Sequence, residues 1–204
     1  MEAAAARLSD ATYTFHSTEY IAGKVHEASF DVKYRPPNTA YMAWESGQEV
    51  LWNPDRSDKL HVDPGPFLPV IRLDPNGRLA KRGNRHTIHR LGFVPIASLF
   101  AADAQRMLAD LDHLRPTVDD LGVKSVFGRP AQCYRSVMNK EREPALYAHK
   151  VEICFDQATD LPVDLTVWDH EDGELRQIER YRYENLRVDV GLTDTDFDPA
   201  TYGL

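Results

Sequence analysis

Three stretches of alternating apolar and polar residues in the last third of the chain constrain its fold more than any other feature. Tyr147–Phe155 alternates, a polar turn at Asp156–Asp160 follows, and Leu161–Trp168 resumes the pattern. After Glu171-Asp-Gly173 a third stretch runs from Gln177 to Leu186, and Gly191–Asp198 closes the segment. A period of two, broken by turn residues, reads as antiparallel strands that are apolar on one face only. Three such strands make half of a wall. The rest of the chain decides whether the wall encloses a core or a ligand.

The first half continues the meander. Tyr13-Thr-Phe15 alternates, Ala22-Gly-Lys24 turns, and Ala28, Phe30, Val32 and Tyr34 share one face. Arg35-Pro-Pro-Asn38 breaks the chain before Ala40–Trp44, and Ser46-Gly47 leads into Glu49–Trp52. Asn53–Asp58 then turns it into Leu60-His-Val62. Short strands at this spacing predict a sandwich, a barrel or a large curled sheet. One helix is expected, over about 94–114. There Ile96, Leu99, Phe100, Met107, Leu108 and Leu111 recur at three- and four-residue steps, and Pro116 bars its continuation.

Cys133 and Cys154 fall in neighbouring predicted strands. Pairing residues whose numbers sum to 287 sets the two sulfurs opposite one another and Arg135 opposite Glu152. The same register puts Tyr134, Ser136 and Met138 against Ile153, Val151 and His149 on the other face. A disulfide would point to an oxidising compartment, whereas the tight fit of directly opposed positions leaves two free thiols as the alternative.

Residues 63–93 break the strand rhythm with Asp63-Pro-Gly-Pro66, Asp74-Pro-Asn-Gly77 and Arg82-Gly-Asn84. A loop of this length in a compact domain is a lid or simply mobile. Within it Arg72, Arg78, Lys81, Arg82, Arg85 and Arg90 face Asp74 alone, a local +5 in a chain of net charge −8. Two explanations stand: a solvated loop whose cations pair with nearby acids, or a patch for a phosphate or carboxylate headgroup, with Lys81, Arg82 and Arg85 as its donors. The overall acidity argues against a nucleic-acid partner.

Catalytic signatures are weak. His86 and His89 are the one pair with ligand-like spacing, and no neighbouring Asp, Glu or Cys completes a metal set. There is no Gly-x-Ser-x-Gly elbow, no Cys-x-x-Cys and no glycine-rich phosphate loop. The expectation is no catalytic residue, no metal and no cofactor. No run of 18 apolar residues occurs, and the start, Met1–Leu8, lacks the basic and apolar regions of a signal peptide.

The acidic turn before Leu161-Pro-Val163, the Tyr-x-Tyr-x-Asn-Leu run at 181–186 and Leu192-Thr-Asp-x-Asp-Phe197 resemble the closing strands of the LolA-like superfamily. Leu73-Asp-Pro75, Lys81–His86 and Leu91-Gly92 more specifically resemble one uncharacterised bacterial family in that group, domain-of-unknown-function family 1571. The likeness covers roughly 12–198 and rests on the order of individually weak motifs. It implies a mostly β, α+β fold: one LolA-like domain over 1–204, a curved antiparallel half-barrel of about ten strands wrapped around one main helix. It also implies a greasy cavity in a protein of the periplasm or cell envelope.

On that reading the cavity wall is expected from Phe15, Phe30, Val32 and Trp52, from Phe100, Met107 and Leu111 on the helix, and from Ile153, Phe155, Leu165, Tyr181 and Tyr183. These faces offer more inward apolar area than one helix of this length covers. At roughly 25 cal/mol per Å2 an open concavity would be costly unless filled or narrow. The preferred expectation is a non-enzymatic carrier or sensor whose partner is the acyl chain of a lipid or lipoprotein. The alternative is an envelope protein-interaction module using the same face. A third reading is a lipid-acting hydrolase working through the His86/His89 region.

Overall fold

A computed structural model describes Met1–Leu204. It holds one antiparallel sheet of eleven strands: β1 (Ala11–Ile21), β2 (Lys24–Arg35), β3 (Thr39–Ala43), β4 (Glu49–Trp52), β5 (Leu60–Asp63), β6 (Ile71–Leu73), β7 (Thr117–Val126), β8 (Arg129–Val137), β9 (Lys150–Asp156), β10 (Pro162–Glu171) and β11 (Glu174–Val188). The spatial order is β6-β5-β4-β3-β2-β1-β11-β10-β9-β8-β7. The chain thus lays β1 to β6 outward, crosses over, and lays β7 to β11 back inward until β11 pairs with β1. Eleven strands agree with the expected count of about ten, although neither β6 nor β7 is among the strands expected.

Four short helices accompany the sheet: α1 (Glu2–Arg7), α2 (Phe93–Ala109), α3 (Leu111–Leu114) and α4 (Pro199–Tyr202). None is long and apolar enough to cross a membrane. The expected single helix over 94–114 is broken at Asp110, whose φ of −141° and ψ of 59° leave the helical region. Leu111, just past the break, is 38% exposed, while Leu114 is buried. α2 enters the concave side through Phe93, fully buried, which meets Tyr13, Tyr34 and Tyr183 at centroid separations of 5.5, 6.0 and 5.0 Å. Gly92 makes this close approach possible. Its φ is +94°, and a Cβ there would lie 2.2 Å from the Tyr34 ring.

Local chemistry explains the register. Asn185 has φ of +55°, a conformation asparagine tolerates, and it sits where the β1–β11 ladder shifts between Thr12 and Thr14. The bulge lets Tyr183 and Leu186, three apart, both turn inward. Cys133 pairs with Cys154 and Arg135 with Glu152, the ladder whose numbers sum to 287, and the sulfurs form a disulfide. The strand expected from Tyr147 begins only at Lys150, because the Tyr147 N–H donates to Asp103 of α2 instead of a neighbouring strand (3.0 Å).

The Leu192–Phe197 motif is structural. Asp10 anchors the turn before it, accepting from the N–H groups of Val190, Gly191 and Leu192 at 2.7–3.1 Å. Lys33, Arg35 and Arg56 then hold Asp196, Asp194 and Asp198, while the carbonyl of fully buried Phe197 accepts from the Asn53 side-chain amide. The C-terminal segment is thereby clamped across β2, β3 and the turn after β4.

Candidate functional site: a strapped cavity on the concave face

The stretch between β6 and α2 lies across the concave side of the sheet as a strap. Leu79, Ala80, Ile88 and Leu91 from this stretch, with Leu73 at the end of β6, face Phe15, Phe30, Met42, Val50 and Leu60 from the strands, with Ile96 and Leu99 of α2 at one end. Between them is a cavity of about 300 Å3, and 19 of its 29 lining residues are hydrophobic. That size stands at the lower end for small-molecule sites, and a mainly apolar lining with a few placed polar groups is their usual character.

Of the residues expected in the wall, Phe15, Phe30, Leu165, Tyr181 and Tyr183 line this cavity. Val32 and Trp52 do not. They are packed into the core at 2% and 4% exposure, and Trp52 stands edge-on to His89 at 5.2 Å. Phe100 and Met107 pack against the core outside the cavity, and Leu111 is exposed. Ile153 and Phe155 share the sheet face but lie farther toward β8, where Phe155 approaches Tyr134. The strap residues were absent from the expected wall. Their signal was present as isolated apolar residues in a loop, at Leu79, Ile88 and Leu91.

The strap is fastened by a buried polar cluster. Glu179 on β11 is 1% exposed and Glu19, its partner on β1, 7%. Glu179 accepts from Arg85 Nε (3.1 Å) and from the Tyr147 hydroxyl, and it pairs with His86 Nε2 (3.0 Å). Glu19 accepts from the Arg85 backbone N–H (2.8 Å) and from the Tyr181 hydroxyl. Arg85 also donates to Glu171 (2.9 Å) and to the Tyr20 carbonyl (2.7 Å). Every oxygen of the two glutamates therefore has a partner, as buried carboxylates require.

Burial pushes the Glu179 carboxyl up, and the His86, Tyr147 and Arg85 contacts outweigh it, leaving the group below its ordinary value. Burial, followed by the charge of Glu179, pushes the Tyr147 and Tyr181 hydroxyls well above theirs. Both therefore remain donors.

This geometry corrects one expectation. Arg85 is not a free headgroup donor, since its guanidinium is spent on Glu179, Glu171 and the Tyr20 carbonyl. His86 and His89, the region of the hydrolase reading, point to different partners: His86 faces Glu179 and His89 faces Trp52. No group of three or more His, Cys, Asp or Glu side chains is arranged to hold a metal ion. By contrast Lys81 and Arg82 are exposed and carry no ion pair, as do Arg72, Arg78 and Arg90; Arg82 and Arg90 also line the cavity. The loop cations other than Arg85 are thus not neutralised by the protein's own acids.

The family model described as Protein of unknown function (DUF1571) matches residues 8–202. The chain belongs to this family. The Leu73-Asp-Pro75, Lys81–His86 and Leu91-Gly92 motifs that suggested it all fall in or beside the strap. No curated protein matches the sequence. Among solved structures, MucB in complex with MucA(peri) is similar over 97% of this chain and 56% of that one, at 17% identity and a TM-score of 0.54. The Mycobacterium tuberculosis lipoprotein LppX is similar over 96% and 93%, at 12% identity and a TM-score of 0.51. A LolA superfamily protein from Nitrosomonas europaea matches over 96% and 92%, at 12% identity and a TM-score of 0.38. The fold of this DUF1571 protein, one large open antiparallel sheet with few helices, is similar to those of MucB and LppX.

Proposed function

We propose that this DUF1571 protein binds an acyl chain of a lipid or lipoprotein in the strapped cavity, as a non-enzymatic carrier or sensor of the bacterial envelope. One observation carries the reading: a cavity of about 300 Å3 whose wall is mostly hydrocarbon and aromatic surface. Water in such a space finds few partners, whereas each methylene transferred into it gains roughly 0.8 kcal/mol. The aromatic walls formed by Phe15, Tyr181 and Tyr183 suit a flexible chain lying along them. The Cys133–Cys154 disulfide fits an oxidising compartment. Similarity of fold to a protein named as a lipoprotein is consistent with an envelope setting. Binding without catalysis is the simpler use of the cluster, since Glu19 and Glu179 spend all their oxygens on holding the strap.

The test is titration of delipidated protein with a fluorescent fatty acid. Saturable, one-to-one binding displaced by unlabelled palmitate supports the reading, and absence of binding refutes it. A second reading has its own observation. β7 is an edge strand of ten residues, with Val118 and Val123 more than half exposed. An open edge offers backbone groups to a strand from another protein, which suits an interaction module.

A further inference from the structure

The segment before β6 presents an apolar tip with no cover from its own chain. Phe67 is 103% exposed, Leu68 60%, Val70 40% and Ile71 38%. Leu79, at the start of the strap, adds a further 65% exposed side chain. Phe67 also holds a φ of +75°, a left-handed conformation that is uncommon for a bulky residue. Nothing in the folded chain rewards that combination. A strained, fully exposed phenylalanine between two prolines points to a surface outside the protein.

The tip stands beside strand ends that contribute to the cavity wall. Gly65 lies against the Ser46 carbonyl and Gly47 against Pro66, so the tip abuts the β3–β4 turn. Gly83 of the strap lies against His26 of β2, beside Ala28, which lines the cavity. Trp44 and Gln48, at either end of that same β3–β4 turn, line the cavity too. The apolar tip, the exposed start of the strap and this end of the cavity wall therefore share one end of the sheet.

Charge identifies what the rim faces. Arg78, Lys81 and Arg82 are exposed and unpaired, although the chain carries 32 acidic residues against 24 basic ones. The acids inside the same segment are engaged locally: Asp63 accepts from the Gly65 N–H and Asp74 from the Asn76 N–H. Glu27 and Glu45 stand at the rim without neutralising these cations. Apolar side chains at a tip with free cations behind them match a bilayer interface, where hydrocarbon enters the acyl boundary and Lys or Arg meets phosphate.

We infer that the 66–71 tip and the Arg78/Lys81/Arg82 group form a docking surface for an anionic lipid bilayer, which seats this end of the cavity wall on the membrane. The docking goes beyond acyl binding in the cavity and does not depend on it. Phe67 and Leu68 insert, the strap cations contact lipid phosphates, and the net-negative remainder of the protein is repelled, which sets the orientation.

Flotation with vesicles of phosphatidylglycerol and phosphatidylethanolamine tests this, with phosphatidylcholine vesicles alongside. The intact protein is expected to float with the anionic vesicles at low salt. Replacing Phe67→Ser and Leu68→Ser together lowers partitioning by about tenfold or more. Lys81→Glu with Arg82→Glu does the same, and 0.5 M salt weakens binding by screening. Both double variants lie on exposed residues, so an unchanged melting curve confirms the fold.

Equal binding to phosphatidylcholine overturns the charge argument, and binding indifferent to Phe67 and Leu68 overturns insertion. No flotation overturns the inference and leaves a protein as what covers the tip. An Ala28→Trp variant with a filled cavity is expected to float like the intact protein. Flotation without acyl binding would refute the cavity reading alone, and acyl binding without flotation would refute this one alone.

Discussion

Replacing Glu179 by alanine unfastens the strap, and its consequences can be worked out from the cluster. The side chain is 1% exposed and holds Arg85, His86 and the Tyr147 hydroxyl at once. Alanine leaves His86 and Tyr147 without their buried carboxylate and strips Arg85 of one of two. Removing one partner of a buried ion pair costs about 3–5 kcal/mol. In a chain of this size each kcal/mol shifts Tm by about 2–4 °C, so a fall of about 6–20 °C is expected. Glu179→Gln keeps hydrogen-bonding capacity without the charge and should lose less. As a control, Glu174→Gln, whose carboxylate is largely exposed beside Arg176, should change stability by less than about 0.5 kcal/mol. The assay is thermal unfolding by circular dichroism, with hydrogen exchange over residues 79–92. Faster exchange in that segment is expected for the alanine variant. A Tm within 2 °C of the intact protein and unchanged exchange would refute the claim that this cluster holds the strap.

Three other outcomes follow from the same structure. Ala28→Trp places an indole in the cavity and displaces about five methylenes of a bound chain. The loss is about 4 kcal/mol, nearly a thousandfold in fatty-acid affinity by fluorescence titration, with stability retained; undiminished affinity would put the ligand elsewhere. Glu179 and Asp156 are held below their ordinary values by contacts that outweigh burial, and hydrogen bonds from Lys33 and Thr193 hold Asp196 down at about 2. A carboxylate with a depressed folded pKa adds stability above its unfolded pKa of about 4, and that stability is lost as pH falls through the folded value. Urea midpoints should therefore be level from pH 7 to 5 and decline between about pH 4 and 2; a flat profile down to pH 2.5 would contradict this. Reducing Cys133–Cys154, which are 21 residues apart, should cost about 3 kcal/mol by the loop-entropy estimate, measured by urea denaturation with and without reductant. No change in midpoint would contradict it.

The central strands were legible in the sequence because each is buried on one face and exposed on the other. β1, β2, β10 and β11 therefore carry the alternation along most of their length, and the Cys133–Cys154 register could be read from pairing alone. The edge strands were not legible. β7 is exposed along nearly all of its length and β6 has only three residues, so neither imposes a pattern. The cavity was half legible. Strand positions such as Phe15 and Tyr181 announce an inward face, yet which of them meet empty space depends on where the strap lies. That placement is set by Arg85 and His86 meeting Glu179 and Glu19, contacts across 66 to 94 residues that no local pattern encodes. Read locally, the same Arg85 belongs to a basic patch. The end of α2 was missed for a similar reason: apolar spacing runs through Asp110, while the backbone does not.

Native mass spectrometry of the protein, isolated from cells without detergent and without delipidation, tests the central claim most directly. The account predicts a bound acyl species of fatty-acid or phospholipid mass on the intact protein, and its loss from the Ala28→Trp variant. A protein that carries nothing in either form, and takes up no fatty acid when one is supplied, would contradict it.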